Sequence, residues 1–176
     1  HNTFNLLEDL LEWAKMERGL TEFKPRIISI KKIVAESLYI LGESARRKSI
    51  DVVIDIQEQE VYADSHMLQT VLRNLTSNAI KFTNRGGRIT ISAAGFENNS
   101  LLISIKDTGI GMKPDMLENI FKIGANTKRD GTEGEHSSGL GLLLCKEFVE
   151  KQGGEIWVES MEGEGSAFHF TVPAKI

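Results

Sequence analysis

Apolar residues recur at two periods along this chain, and the switches between the periods mark its elements. Phe4, Leu7, Leu11 and Ala14 fall at heptad-like spacing with Leu6, Leu10 and Trp13 widening the stripe, which predicts a helix over residues 3–18. Gly19 and Pro25 interrupt it, so residues 17–25 read as a linker. The Ser29 hydroxyl is placed to cap a second helix with Ile33, Val34, Leu38 and Leu41 inward, ending near Lys48. Period two takes over in IDVVIDI (50–56), with a further short strand at Val61 and Tyr62. Asp64 then caps a helix that contains LQTVLRNLTSNAIKFT (68–83), whose inward stripe is Val71, Leu72, Leu75, Ala79, Ile80 and Phe82. Two β-rich runs, RITISAAGF (88–96) and SLLISIKD (100–107), are separated by Glu97, Asn98 and Asn99, a hairpin signal. Pro114 opens a short helix through Ile120, after which periodicity stops from Lys122 to Ser138. A loop of that length inside a compact domain is usually functional. Residues 139–152 form a last helix with Leu142, Leu143, Phe148 and Val149 inward, and EIWVESMEGEGSAFHFTVP closes as a hairpin setting Ile156 and Val158 against residues 167–172.

A length of 176 residues with 40% hydrophobic content suffices for one main core and a small appendage. The net charge of -4 offers no electrostatic case for nucleic acid, and the local cluster Arg46 to Lys48 reads as a solvated helix end followed by a turn. A single cysteine, Cys145, rules out an internal disulfide and fits a reducing compartment; within LLLCKEFV it reads as a small buried side chain. No apolar stretch is long enough to cross a bilayer and HNTFNLLEDL does not have the form of a signal peptide, so the expectation is a cytoplasmic domain, with an inner-membrane anchor left open for the full-length protein.

Three short patterns carry candidate chemistry. Asn74, Asn78 and Lys81 stand at i, i+4 and i+7, off the apolar stripe and on a shared face. Two neutral amides with an amine one turn away suit a hydrated Mg2+ and a polyphosphate, although a surface helix with two incidental amides reads the same. Asp107-Thr-Gly-Ile-Gly111 follows directly on a strand; its carboxylate can accept from an exocyclic amine while its glycines permit close backbone approach, yet an ordinary turn also fits. Gly139-Leu-Gly141 opens a helix after the polar loop, either as an anion site built from backbone amides or as a plain helix start.

Taken in order, an asparagine pair on a helix, strand-Asp-x-Gly-x-Gly, Phe121, a polar lid and Gly-Leu-Gly resemble the N, G1, F and G2 boxes of the sensor histidine kinase ATP-binding domain, in the GHKL superfamily. The resemblance covers about residues 27–174 and includes RNLTSNAIKFT and SSGLGLLLCKEFVEKQGG. It implies an α/β two-layer sandwich, a mixed β-sheet with helices on one face, over 23–176, preceded in 1–22 by the end of a helical dimerisation hairpin and a linker. It further implies ATP and Mg2+ as ligands, with Asn78 on the metal, Lys81 on phosphate and Asp107 on adenine. Gly109, Gly111, Gly139, Leu140 and Gly141 would shape the pocket and lid hinges, and Phe121 would anchor the start of the lid. Lys128, Arg129 and His136 are lid candidates for contact with the γ-phosphate. Asn74 stands where the ATPase branch carries a glutamate base; an amide takes no proton from water, so slow hydrolysis is implied.

The implied reaction moves the γ-phosphoryl group of ATP to a histidine. The family's acceptor lies in a His-Glu/Asp context followed by Pro, and no such stretch is present: His1 precedes Asn2, while His66 and His169 read as structural. The acceptor is therefore expected on an upstream helix, with a response regulator receiver domain and a second copy of the full-length protein as partners. The alternatives are a gyrase-, Hsp90- or MutL-like ATPase, a serine kinase sharing the boxes, and a nucleotide-binding regulatory module without kinase activity.

Overall fold

In the computed structural model, which describes residues 2–125 and 127–174, α1 (Asn2–Glu17) precedes an α/β sandwich. A sheet of five strands is ordered β2 (Asp51–Asp55), β4 (Arg88–Phe96), β5 (Ser100–Asp107), β7 (Gly165–Pro173), β6 (Ile156–Met161). The β2–β4 pairing is parallel and the others are antiparallel, so the sheet is mixed. Helices α2 (Ile30–Arg47), α3 (Ser65–Phe82) and α5 (Gly141–Lys151) pack with it around one core, and α4 (Pro114–Leu117) is a single turn. A separate antiparallel pair joins β1 (Arg26–Ser29) to β3 (Glu60–Ala63).

The caps sit where the side-chain chemistry places them. Ser29 Oγ accepts from Lys32 N at 3.2 Å, and Asp64 Oδ1 accepts from His66 N and Met67 N at 3.0 and 3.1 Å, each satisfying first-turn amides of a helix. Asp64 Oδ2 also accepts from Lys24 N at 2.9 Å, which ties the linker to the domain. Asn98 and Asn99 both adopt positive φ (55° and 54°), the geometry of a tight hairpin turn that asparagine tolerates better than other L-residues.

Strand parity decides what faces the helices. Leu101, Ile103 and Ile105 of β5 are buried against the helical layer, and two residues further on the same alternation turns Asp107 inward. The sheet's core face is completed by Ile89, Ile91, Phe168, Phe170 and Val172, met by Leu68, Val71, Leu72 and Leu75 of α3 and by Leu144, Phe148 and Val149 of α5. Each such side chain contributes on the order of 1.5–3 kcal/mol by leaving water. Cys145 is buried among them, and burial pushes its thiol pKa up, which keeps it unreactive.

Several expectations need correction. β1 lies between the linker and the second helix, over residues for which no element was expected, and takes in the capping Ser29. The helix at Pro114 ends at Leu117, followed by turns, and the last helix begins at Gly141 instead of 139. Its inward face uses Leu144 and Cys145 where Leu143 was expected; Leu143 is only partly buried. Phe82 is likewise half-buried, with the Arg129 guanidinium 4.4 Å from its ring centroid. Lys48, read as solvated, is 3% exposed. His1 lies outside the described residues.

Candidate active site

Between α3, the end of β5 and the loop before α5 lies a cavity of about 720 Å³. Asn74, Asn78 and Lys81 line it from α3, Asp107 from β5, and Gly139 and Gly141 from the loop and the start of α5. The three sequence patterns thus face one space.

Each group is held by its own local chemistry. Asn74 Nδ2 donates back to Thr70 O at 3.0 Å, and its Oδ1 packs so closely on Gly141 that a Cβ there would sit 3.0 Å away. Lys81 Nζ donates to His136 O of the loop at 3.3 Å. Burial lowers the Lys81 pKa, opposed by the carboxylates of Glu135 and Asp9. Asp107 is 5% exposed, with Oδ1 accepting from Gly109 N at 2.8 Å and Ser166 N at 3.3 Å. Among the described residues both hydrogen bonds to this carboxylate fall on Oδ1. Burial raises the Asp107 pKa, countered by those two amides and by Arg129.

The remaining candidates play less direct parts. Gly109 and Gly111 stand behind the carboxylate: a Cβ on Gly109 would lie 2.3 Å from Phe82 O, and one on Gly111, where φ is +64°, would lie 1.8 Å from Met161 O. They let the turn seat against α3 and β6, and Gly111 lines a neighbouring cavity of about 730 Å³. Phe121 meets Phe168 edge-on with centroids 6.4 Å apart, fastening the start of the loop to the core. Leu140 is the N-cap residue of α5, and its amide donates to Ser138 Oγ at 3.2 Å. Lys128 lies against Gly139, and His136 Nδ1 is 3.0 Å from Asp130 Oδ1. Arg129 covers Phe82, donates to Gly111 O at 2.7 Å and acts electrostatically on Asp107.

Two further features of the cavity wall and its loop have no local sequence signature. Leu6, Glu8 and Asp9 of α1 reach the cavity wall, where burial raises the Asp9 pKa against the pull of Arg73, while Phe4, Leu7 and Leu11 stay exposed. Lys48 binds the loop, and Glu135, which burial acts to raise, is held below its ordinary pKa by backbone amides and Lys48. Local periodicity carries no signal for either, since both depend on residues distant in sequence.

The donor set suits a magnesium nucleotide. Among the described residues no three His, Cys, Asp or Glu side chains converge on a metal position. Mg2+ commonly takes few protein oxygens and fills its octahedron with phosphate and water, so the amide oxygen of Asn78 beside Lys81 is a fitting protein contribution.

Comparison with known proteins identifies the family. The chain is 36% identical over 170 residues to the adaptive-response sensory kinase SasA of Synechococcus elongatus, covering 96% of this chain and 43% of that protein. It spans less than half the length of the curated relatives it matches. Among solved structures, the catalytic domain of histidine kinase ThkA superposes with a TM-score of 0.74 at 29% identity, covering 88% of this chain and 97% of that one. Full-length ShkA in complex with AMPPNP superposes at 0.83 with 25% identity, covering 99% and 36%. The family profile described as histidine kinase-, DNA gyrase B-, and HSP90-like ATPase matches residues 63–176. The chain belongs to this HATPase_c family.

Proposed function

We propose that this chain is the ATP-binding catalytic part of a sensor histidine kinase, acting on Mg-ATP and passing the γ-phosphoryl group to a histidine ring nitrogen outside these residues. The observation that carries the reading is the convergence of Asn74, Asn78, Lys81 and Asp107 on one cavity that Gly139 and Gly141 also line. On this reading Asp107 Oδ2 accepts from the adenine amino group and disfavours guanine, whose carbonyl would meet an anionic oxygen. Asn78 would hold Mg2+ through its amide oxygen, and Lys81 would compensate phosphate charge. When bound, the metal would supply neutralisation of phosphate charge.

The amide at Asn74 separates phosphotransfer from hydrolysis. It orients phosphate or metal-bound water but accepts no proton, so water is a poor nucleophile here. A neutral imidazole needs no base to attack; the P–N bond forms as the bond from the γ-phosphorus to the ADP oxygen breaks, and the chain supplies alignment and charge compensation. Two of its histidines already have partners: His169 Nδ1 is 2.7 Å from Ser104 Oγ, with the ring stacked on Trp157. His66 lies at the start of α3 with Nε2 3.4 Å from Glu12.

The partners on this reading are an upstream phosphoacceptor helix, a second copy of the full-length protein and a response regulator receiver domain. The relatives' names as sensory kinases support the kinase activity from which these partners follow. Among the described residues no helix is long and apolar enough to cross a membrane. The test is to add a separately produced histidine-bearing hairpin from the region upstream, with labelled ATP and Mg2+. Acid-labile phosphate on the hairpin is expected; no label despite bound nucleotide would favour a regulatory binding module.

A further inference from the structure

Lys48 ends α2, and a lysine is seldom fully buried unless its amine is fully engaged. Its Nζ donates to the last-turn carbonyls of α3, Ile80 O at 2.8 Å and Lys81 O at 3.1 Å, and to two groups of the loop, Thr132 Oγ1 at 2.6 Å and Glu135 Oε1 at 3.0 Å. The carbonyls are the negative end of the helix, so the amine also complements the α3 dipole.

The same loop segment is knotted around this contact. Thr132 N donates to Lys81 O at 2.9 Å, Gly131 N to Glu135 O at 2.8 Å, and Glu133 N to Glu135 Oε2 at 2.8 Å. Arg85, just beyond α3, pairs with Glu133 at 2.7 Å. Immediately after the knot comes His136, whose carbonyl receives the Lys81 side chain. One buried amine therefore fixes both the backbone of Lys81 and the lid segment leading to Gly139.

We propose that Lys48 is a positioning residue: it clasps the second half of the lid to the end of α3, so that Lys81 and residues 136–139 meet the nucleotide phosphates in a fixed relation. This rests on the nucleotide-binding reading above. The clasp acts on the phosphate end of the cavity and leaves the base end, at Asp107, untouched.

The test compares AMP-PNP with Mg2+ against adenosine, which lacks phosphates, in the wild-type chain and in Lys48→Met, Lys48→Arg, Thr132→Val and Glu135→Gln variants. Thr132 and Glu135 lie on the lid, so their variants report on the clasp if Lys48→Met fails to fold. The expected result is an AMP-PNP affinity lowered by about tenfold with adenosine binding unchanged, from the loss of one or two hydrogen bonds to charged groups. Amide exchange over residues 131–139 should accelerate while β4 and β5 keep their protection, and Lys48→Arg should recover part of the affinity. Combining Lys48→Met with Glu135→Gln should cost no more than Lys48→Met alone. Equal loss of AMP-PNP and adenosine affinity, or no loss of either, would overturn the proposal. A wild-type chain that binds neither ligand would instead overturn the nucleotide-binding reading itself.

Discussion

Replacing Asp107 by asparagine tests the base contact with little change of shape. The amide oxygen can take the place of Oδ1 and keep the bonds from Gly109 N at 2.8 Å and Ser166 N at 3.3 Å. The amide nitrogen then occupies the Oδ2 position and presents a donor to the adenine amino group, itself a donor. The lost bond to a charged acceptor, with part of the penalty for leaving a polar group unpaired, comes to roughly 2–4 kcal/mol. That is a fall in ADP affinity of roughly 30- to 1000-fold at about 1.4 kcal/mol per tenfold. GDP should lose less, since its carbonyl now meets an amide donor. The same substitution should stabilise the nucleotide-free protein. Burial raises the Asp107 pKa, so ionising this carboxyl costs folding free energy; the cost is absent below the ordinary carboxylate range and develops as pH rises through the raised folded value. Melting curves should place the Asp107→Asn variant above wild type near neutral pH, the gap closing on acidification. Calorimetry with ADP and GDP in Mg2+ gives the affinities. Unchanged ADP affinity would refute the base contact, and lost affinity with a lower melting temperature would mean that the turn had broken instead.

Gly111→Ala should destabilise the fold by about 3 kcal/mol in urea titration, because its Cβ would fall 1.8 Å from Met161 O at a φ of +64°; an unchanged midpoint would contradict the close approach. Phe148→Ala removes a fully buried ring of α5 and should cost about 3–5 kcal/mol by the same titration. Arg129→Ala removes the guanidinium over Phe82 and the bond to Gly111 O; a loss of about 1–2 kcal/mol of local stability should speed amide exchange across residues 127–130. Lys81→Met should weaken AMP-PNP about tenfold or more while sparing adenosine, a difference that titration of the two ligands reads directly.

The parts of this fold visible in the sequence are those whose cause is local. Strands β4 and β5 begin and end where alternation does, and parity alone turns Asp107 toward the helices, two residues beyond Ile105. The amide face of α3 follows from seven-residue spacing, and all three of its polar residues line the cavity. The parts that were not visible depend on distant partners. β1 is a strand only because Ile27 and Ile28 find Tyr62 and Val61, more than thirty residues away. Lys48 is buried because acceptors from residues 80, 81, 132 and 135 surround it, and no pattern near residue 48 announces them. Arg129 reads as one of three lid candidates from its place in a polar loop, and its seat over the Phe82 ring depends on a residue far away in sequence.

A crystal structure of the chain with Mg2+ and AMP-PNP tests the central claim most directly. The account predicts one nucleotide in the α3–β5 cavity, its adenine amino group on Asp107 Oδ2, its metal on the Asn78 amide oxygen and its phosphates between Lys81 and the loop that ends at Gly139. A nucleotide bound elsewhere, or one whose base lies away from Asp107, would contradict it.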